Sequence, residues 1–253
     1  MARAIVAIGG GDLGAKGTSA IDREIIRLSN KPGPNILFVP TASSDSETYW
    51  KRFRKYFGGF LKCRTDVLFL AREAPTRGQI ETKIRWADIV YVGGGNTLYM
   101  MRVWRRLGVD RMLKAAHRRG TVLAGISAGA ICWFESGHSD SMSFYDPQHW
   151  KYINVRGLGL VRGINCPHYD GRTRGVPRRR DFREMIGKIG GIGIAIENHC
   201  AIEFLDGRYR VIRSKDHSCA YRVYKHDGEV VSEPIPQQGW LAPIESLQSR
   251  PPR

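Results

Sequence analysis

A chain of 253 residues, 42% hydrophobic and 25% charged, has the length of one α/β domain or two small ones. It can bury roughly 70–75% of the surface its unfolded form exposes, so folding does not require disulfides. The net charge of +16 raises a nucleic-acid partner, but the two densest basic stretches, residues 102–119 and 172–183, carry neither interleaved aromatics nor a nucleic-acid motif; a solvated basic surface able to attract an acidic substrate is the better reading.

Five cysteines, Cys63, Cys132, Cys166, Cys200 and Cys219, are scattered without a CxxC pair. That pattern supports neither a zinc knuckle nor a redox motif, and it reads as reduced thiols in the cytoplasm. The first apolar run is too short for a signal peptide, and no run approaches the ~20 apolar residues of a membrane span.

In chain order, residues 4–8 read as a strand. A helix over 19–29 places Ile21, Ile25 and Leu28 on one face. A buried strand at 35–40, an aromatic-rich helix at 46–57, a strand at 64–70 and a short helix at 79–86 follow. The strand at 87–92 ends in Gly93-Gly94-Gly95-Asn96. Helices at 98–107 and 110–118 flank Gly108, and the apolar strand 121–125 runs straight into Ser127. Strands alternating with helices imply a parallel sheet covered on both faces, with sites at the carboxyl ends of its strands. Beyond residue 140 the pattern changes to strands at 157–165, 193–197, 201–204 and 209–213 around one clear helix at 178–188. Residues 1–245 read as a single α/β hydrolytic domain and 246–253 as a disordered tail.

Three glycine motifs stand out. Gly9-Gly10-Gly11-Asp12-Leu13-Gly14 formally fits GxGxxG, but the second strand ends Val39-Pro40-Thr41-Ala42 without the acid a dinucleotide site wants, so the cluster reads as a tight turn lining the edge of the sheet. Gly93-Gly94-Gly95-Asn96-Thr97 can aim backbone amides at a developing oxyanion, or be a plain turn in which Asn96 or Thr97 caps the next helix. Gly125-Ile126-Ser127-Ala128-Gly129 is a GxSxG that follows a strand and has small neighbours, as an exposed serine nucleophile at a strained turn demands.

A serine nucleophile needs a base and an orienting acid. Among the seven histidines, His168 follows a strand and falls at the same end of the sheet; His138 is a competitor in a loop, and His117 lies on a basic helix. Glu197, closing the apolar run Ile192-Gly193-Ile194-Ala195-Ile196, is a candidate acid, with Asp140 and Asp146 as competitors. Spacing alone does not choose among them.

Together, Gly93-Gly94-Gly95-Asn96-Thr97, Gly125-Ile126-Ser127-Ala128-Gly129-Ala130, Asn165-Cys166-Pro167-His168 and Ile194-Ala195-Ile196-Glu197 come in an order and spacing that resemble the peptidase E (aspartyl dipeptidase) and cyanophycinase family, over about residues 4–215. The resemblance implies a three-layer α/β/α sandwich with a mostly parallel central sheet, of the class I glutamine amidotransferase-like (flavodoxin-like) kind. It implies a Ser-His-Glu triad of Ser127, His168 and Glu197, with the oxyanion held by the amides of Gly94 or Gly95 and of Ala128. It also implies a dipeptide substrate beginning with aspartate, whose carboxylate Arg178 would meet, with Asn96 and Asp140 as further substrate-binding residues. Residues 131–140, with their Trp-Phe-Glu run, depart from the best-known aspartyl dipeptidases and resemble a less characterised branch, which separates the substrate preference from the triad. No metal or organic cofactor is implied, and a second copy of the chain is a candidate partner. The competing readings are an esterase of the α/β-hydrolase type, with Asp140 or Asp146 as its acid, and a non-catalytic binding protein on the same fold.

Overall fold

The computed structural model describes residues 2–12, 17–237, 239 and 241–249. Four apolar runs and the more polar β3 become the parallel part of an eight-stranded sheet: β1 (Ala4–Ile8), β2 (Asn35–Val39), β3 (Arg64–Val67), β4 (Ile89–Val92) and β5 (Val122–Ile126). All but β3 are buried along nearly their whole length, because helices cover both faces. Helices α1 (Ser19–Leu28) and α2 (Glu47–Phe53) lie on one face, where Ile21, Ile25 and Phe53 pack with Val6, Ile8 and Phe38. Helices α3 (Arg77–Trp86), α4 (Thr97–Leu107) and α5 (Val109–Arg118) lie on the other, against Ile5, Ala7, Leu37 and Leu123. Alternate residues of β1 therefore serve opposite layers, as the period of two in a strand requires.

After β5 and the single turn α6 (Ala128–Ile131), the chain builds a second sheet. Its strands are β6 (Phe134–Ser139), β7 (Ile153–Arg156), β8 (Val161–Pro167) and, past a small hairpin β9 (Arg172–Thr173) with β10 (Val176–Pro177) and helix α7 (Arg178–Ile189), β11 (Ile192–Ile196). Next, β12 (Cys200–Leu205) and β13 (Arg208–Arg213) return antiparallel to the first sheet, while β14 (Ala220–His226) and β15 (Glu229–Pro234) extend the second. With the short β16 (Ala242–Pro243), the first sheet runs β3-β2-β4-β5-β1-β12-β13-β16 and the second β15-β14-β11-β8-β6-β7. Strands β6, β8 and β11 are mutually parallel. Ile194 and Ile196 face the core shared with the first sheet, and Ala195 faces Phe182 and Ile186 of α7.

The α/β sandwich expected from the alternation is present, with corrections in its second half. β1 lies between β5 and β12, so the first glycine cluster continues an interior strand rather than an edge; its positions 13 and 14 lie outside the described residues. The strand expected at 157–165 begins only at Val161, because Gly157 and Leu158 donate back to the carbonyls of Glu135 and Cys132, at 3.0 and 2.7 Å. His138, expected in a loop, is inside β6. The aromatic helix 46–57 begins with Ser46 capping the Tyr49 amide and changes at Arg54 to the wider winding of a π-helix through Phe60. The expected tail divides: 246–248 belong to a final helix α8 (Ile244–Gln248) that buries Leu247, and 250–253 lie outside the described residues. Among the described residues, no helix is long and apolar enough to cross a membrane.

Candidate active site

Hydrogen bonds join the end of β1 in the first sheet to the segments that follow β8 and β11 in the second. Strand β5 delivers Ser127, which has φ 57° and ψ −113°, a region an L-residue enters only under constraint. Its amide donates to the Ile8 carbonyl at 3.0 Å, and its carbonyl accepts from Ala130 and Ile131 as α6 begins. Small neighbours make this possible: a β-carbon at Gly129 would sit 2.2 Å from the Val92 carbonyl oxygen. Strand β4 delivers the second glycine motif alongside, where a methyl group at Gly94 would lie 3.7 Å from Ser127 Oγ.

The end of β1 is the joint between the two sheets. The Ile8 carbonyl holds Ser127, the Gly9 carbonyl accepts the His168 amide at 3.1 Å, and the Gly10 carbonyl accepts the His199 amide at 2.8 Å. Gly10 must be glycine for the same reason: a β-carbon there would fall 2.1 Å from Asn198 Oδ1 and 2.3 Å from His168 Nδ1. The first glycine cluster is thus the seat of the expected base.

His168 follows β8 at φ 51°. Its Nδ1 is 2.7 Å from Asn198 Oδ1. Asn198 in turn donates its backbone amide and its side-chain Nδ2 to Asp170 Oδ1, each at 2.9 Å. Burial, reinforced by the charge of Arg178, lowers the His168 pKa from the ordinary value; Asn198, Asp140 and Asp170 oppose the shift. The imidazole is therefore neutral at pH 7, with Nε2 as its remaining nitrogen.

Glu197 is not on this histidine. Its Oε2 accepts the Cys219 amide at 2.8 Å and its Oε1 the Tyr221 hydroxyl at 3.1 Å. It lines a cavity of about 650 Å³ with Asp170, Arg179 and Arg183. Asp146 caps the turn at Gln148 and His149, at 3.1 and 2.9 Å, also away from His168. His138 is fully buried against Tyr152, with Nε2 2.8 Å from Asp181 Oδ1, and burial pulls its pKa down to about 4. A histidine so enclosed has no access to substrate.

Arg178, the first residue of α7, is 6% exposed. Its Nη2 donates to the His138 carbonyl at 2.8 Å, its guanidinium lies 4.8 Å from the centre of the Tyr152 ring, and Asp140 is 3.8 Å away. Its Nε has no protein partner, so this buried cation has donor capacity to spare. Asn96 accepts the Tyr99 amide at 3.0 Å and caps α4, so its Oδ1 is already engaged. The hydroxyl of Tyr49 is hydrogen-bonded to the Gly94 backbone, which makes Gly95, at φ 134°, the more available of the two expected oxyanion donors. Ala128, the other expected oxyanion donor, begins α6 at the turn after Ser127. Among the described residues no group of three or more His, Cys, Asp or Glu is placed to hold a metal ion.

Sequence reasoning missed Gly10, Asn198 and Asp170. Only Gly10 carried a signal, as part of a glycine cluster read as a tight turn.

Residues 5–212 match Peptidase family S51. The uncharacterized peptidase YgaJ of Bacillus subtilis is 35% identical over 92% of this chain and 96% of its own length. Peptidase E of Streptomyces coelicolor is 30% identical over 60% of this chain and 58% of its own. The crystal structure of a peptidase from an acI-B1 Actinobacterium shares the fold at a TM-score of 0.66, with 17% identity, covering 90% of this chain and 96% of that one.

Proposed function

The chain belongs to Peptidase family S51 and is a serine-type peptidase, and from that premise we propose that it hydrolyses small peptides, dipeptides with an N-terminal aspartate first among them, with Ser127 as nucleophile and His168 as base. The observation that carries this reading is the pinning of both residues to successive carbonyls of β1, Ile8 and Gly9. That arrangement holds the backbone of both residues against one strand end, so no flexible segment is needed to position them.

His168 takes the Ser127 proton as the hydroxyl attacks the scissile carbonyl, and the Gly95 and Ala128 amides receive the oxyanion. His168 then protonates the leaving amine, the acyl group stays on Ser127, and a water activated by the same imidazole releases it. The lowered pKa of His168 keeps the base unprotonated at neutral pH. Arg178 meets the substrate's side-chain carboxylate, since a carboxylate drawn out of water requires a paired cation.

The test is a panel of dipeptides beginning with aspartate, glutamate, asparagine, arginine or leucine, run on wild type and Ser127→Ala. Cleavage confined to the aspartate-first member and abolished in the variant is the expected result. Turnover that survives Ser127→Ala overturns the nucleophile assignment. Serine-dependent turnover of the leucine-first member at an equal rate overturns the role of Arg178.

A further inference from the structure

We infer that Asn198, held by Asp170, occupies the place beside His168 that an acid fills in a serine triad, so that the working unit is Ser127-His168-Asn198 with Asp170 behind it. This rests on the reading of Ser127 and His168 as nucleophile and base.

The argument is one of donors and acceptors. An ionised Asp170 can only accept hydrogen bonds. It accepts from the Asn198 backbone amide and from Nδ2 through one oxygen, at 2.9 Å each. The carboxamide is therefore fixed with Nδ2 toward Asp170 and Oδ1 toward His168, 2.7 Å from Nδ1. An amide oxygen can only accept, so Nδ1 must carry the proton. The Nε2 lone pair is left for the Ser127 hydroxyl. Asp170 thus selects the tautomer through Asn198 without touching the imidazole. Asparagine can do here what it does beside the histidine of papain-like proteases, and the wrong tautomer is known to be costly in a serine triad. Glu197 makes other contacts, its two oxygens accepting from the Cys219 amide and the Tyr221 hydroxyl.

Asn198 is a positioning residue, and the difference from a structural one is measurable. Groups facing His168 are Arg178, Asp140, Asp170 and Asn198. Asn198→Asp adds a carboxylate, so the acid limb of the kcat/KM profile moves to higher pH. Asn198→Ala removes an interaction that favours the imidazolium, so the limb moves to lower pH, while kcat falls about 10²–10⁴-fold with KM little changed. Asp170→Ala frees the carboxamide to turn over, and ¹⁵N NMR of the imidazoles moves the His168 proton from Nδ1 to Nε2. Glu197→Gln serves as the control and keeps kcat within a few-fold of wild type.

Melting curves and fluorophosphonate labelling of Ser127 accompany each variant, to separate lost positioning from lost folding. A wild-type kcat in folded Asn198→Ala, or a loss in Glu197→Gln as large as in Asn198→Ala, overturns the inference while leaving the peptidase reading intact. An Nε2–H tautomer in the wild type does the same. Ser127 unreactive in the wild type, or turnover that survives Ser127→Ala, overturns the reading beneath it.

Discussion

The two sheets contribute to the site in different ways. The first supplies backbone and the candidate nucleophile: the carbonyls of Ile8, Gly9 and Gly10, the amides after β4 and β5, and Ser127 at its constrained φ. The second supplies side chains: His168 after β8, Asn198 after β11 and Asp140 after β6, with Arg178 at the start of α7. The first half builds its part from short contiguous motifs on fully buried strands. Both halves bury polar groups, Asp22, Asp45 and Asn96 in the first and His138, Ser139, Ser141 and Asn165 in the second, and each of these is hydrogen-bonded within the fold. A site split this way is precise only if the two sheets are held in register, and the β1 carbonyls do that.

The sharpest test of this division joins its two halves. Ser127→Ala and His168→Ala should each lower kcat about 10⁴–10⁶-fold, and the double variant should lose no more than the worse single one, because residues acting as a unit are not additive. Additive losses would mean that the two sheets contribute independently, and would break the comparison.

Gly10→Ala attacks the joint itself. The methyl group must displace His168 or Asn198, so kcat should fall about 100-fold, the usual consequence of an ångström of misplacement. Overpacking of this kind also costs about 1–3 kcal/mol, which a denaturant titration would read. Wild-type activity in this variant would show that the joint tolerates slack.

Arg178→Ala probes specificity in the second half alone. KM for an aspartate-first dipeptide should rise about 10–150-fold, the worth of a hydrogen bond to a charged group, while Ser127 keeps its reactivity toward fluorophosphonate. Equal losses in both readouts would make Arg178 part of the framework.

The smallest effects concern stability against pH, and here the halves oppose each other. Asp22, on α1 of the first half, is fully buried with Thr18 donating to it at 2.8 Å, and burial raises its carboxyl to about 7. The folded state then holds a proton that the unfolded state gives up, so this contribution is complete below the ordinary carboxylate value of 3.8 and is lost as pH rises through about 7. His138, in the second half, is lowered from 6.5 to about 4, so its contribution is present above 6.5 and is lost as pH falls through about 4. Between those values the two slopes partly cancel. Asp22→Asn should leave a melting midpoint that climbs from pH 4.5 to 6.5, and a variant His138→Gln that folds should leave one that declines, each by a few degrees. Identical profiles in both would overturn the assignment of the two groups.

Much of the first half was legible because its signals are local. The apolar runs at β1, β2, β4 and β5, the break at Gly108 and the GxSxG elbow each lie within a few residues, and a strand entering a tight turn before a helix leaves few alternatives. The second half was harder to read. β6 carries Glu135, Ser136, His138 and Ser139, too polar to announce a strand, and it forms because β7 and β8 pair with it on either side. The glycines at 9 to 11 were visible, yet their use depended on His168, Asn198 and His199, more than 150 residues away.

The sequence by itself determined the α/β alternation, the family, the turn at Ser127 and the approximate place of His168, since each is written in contiguous residues or in their spacing. Only the tertiary structure shows that Asn198, and not Glu197, is hydrogen-bonded to His168. Both residues lie in the turn between β11 and β12, where spacing does not say which side chain meets His168. Pairing of β11 with β14 sends Glu197 toward Cys219 and Tyr221, which leaves Asn198 and, through it, Asp170 at the imidazole.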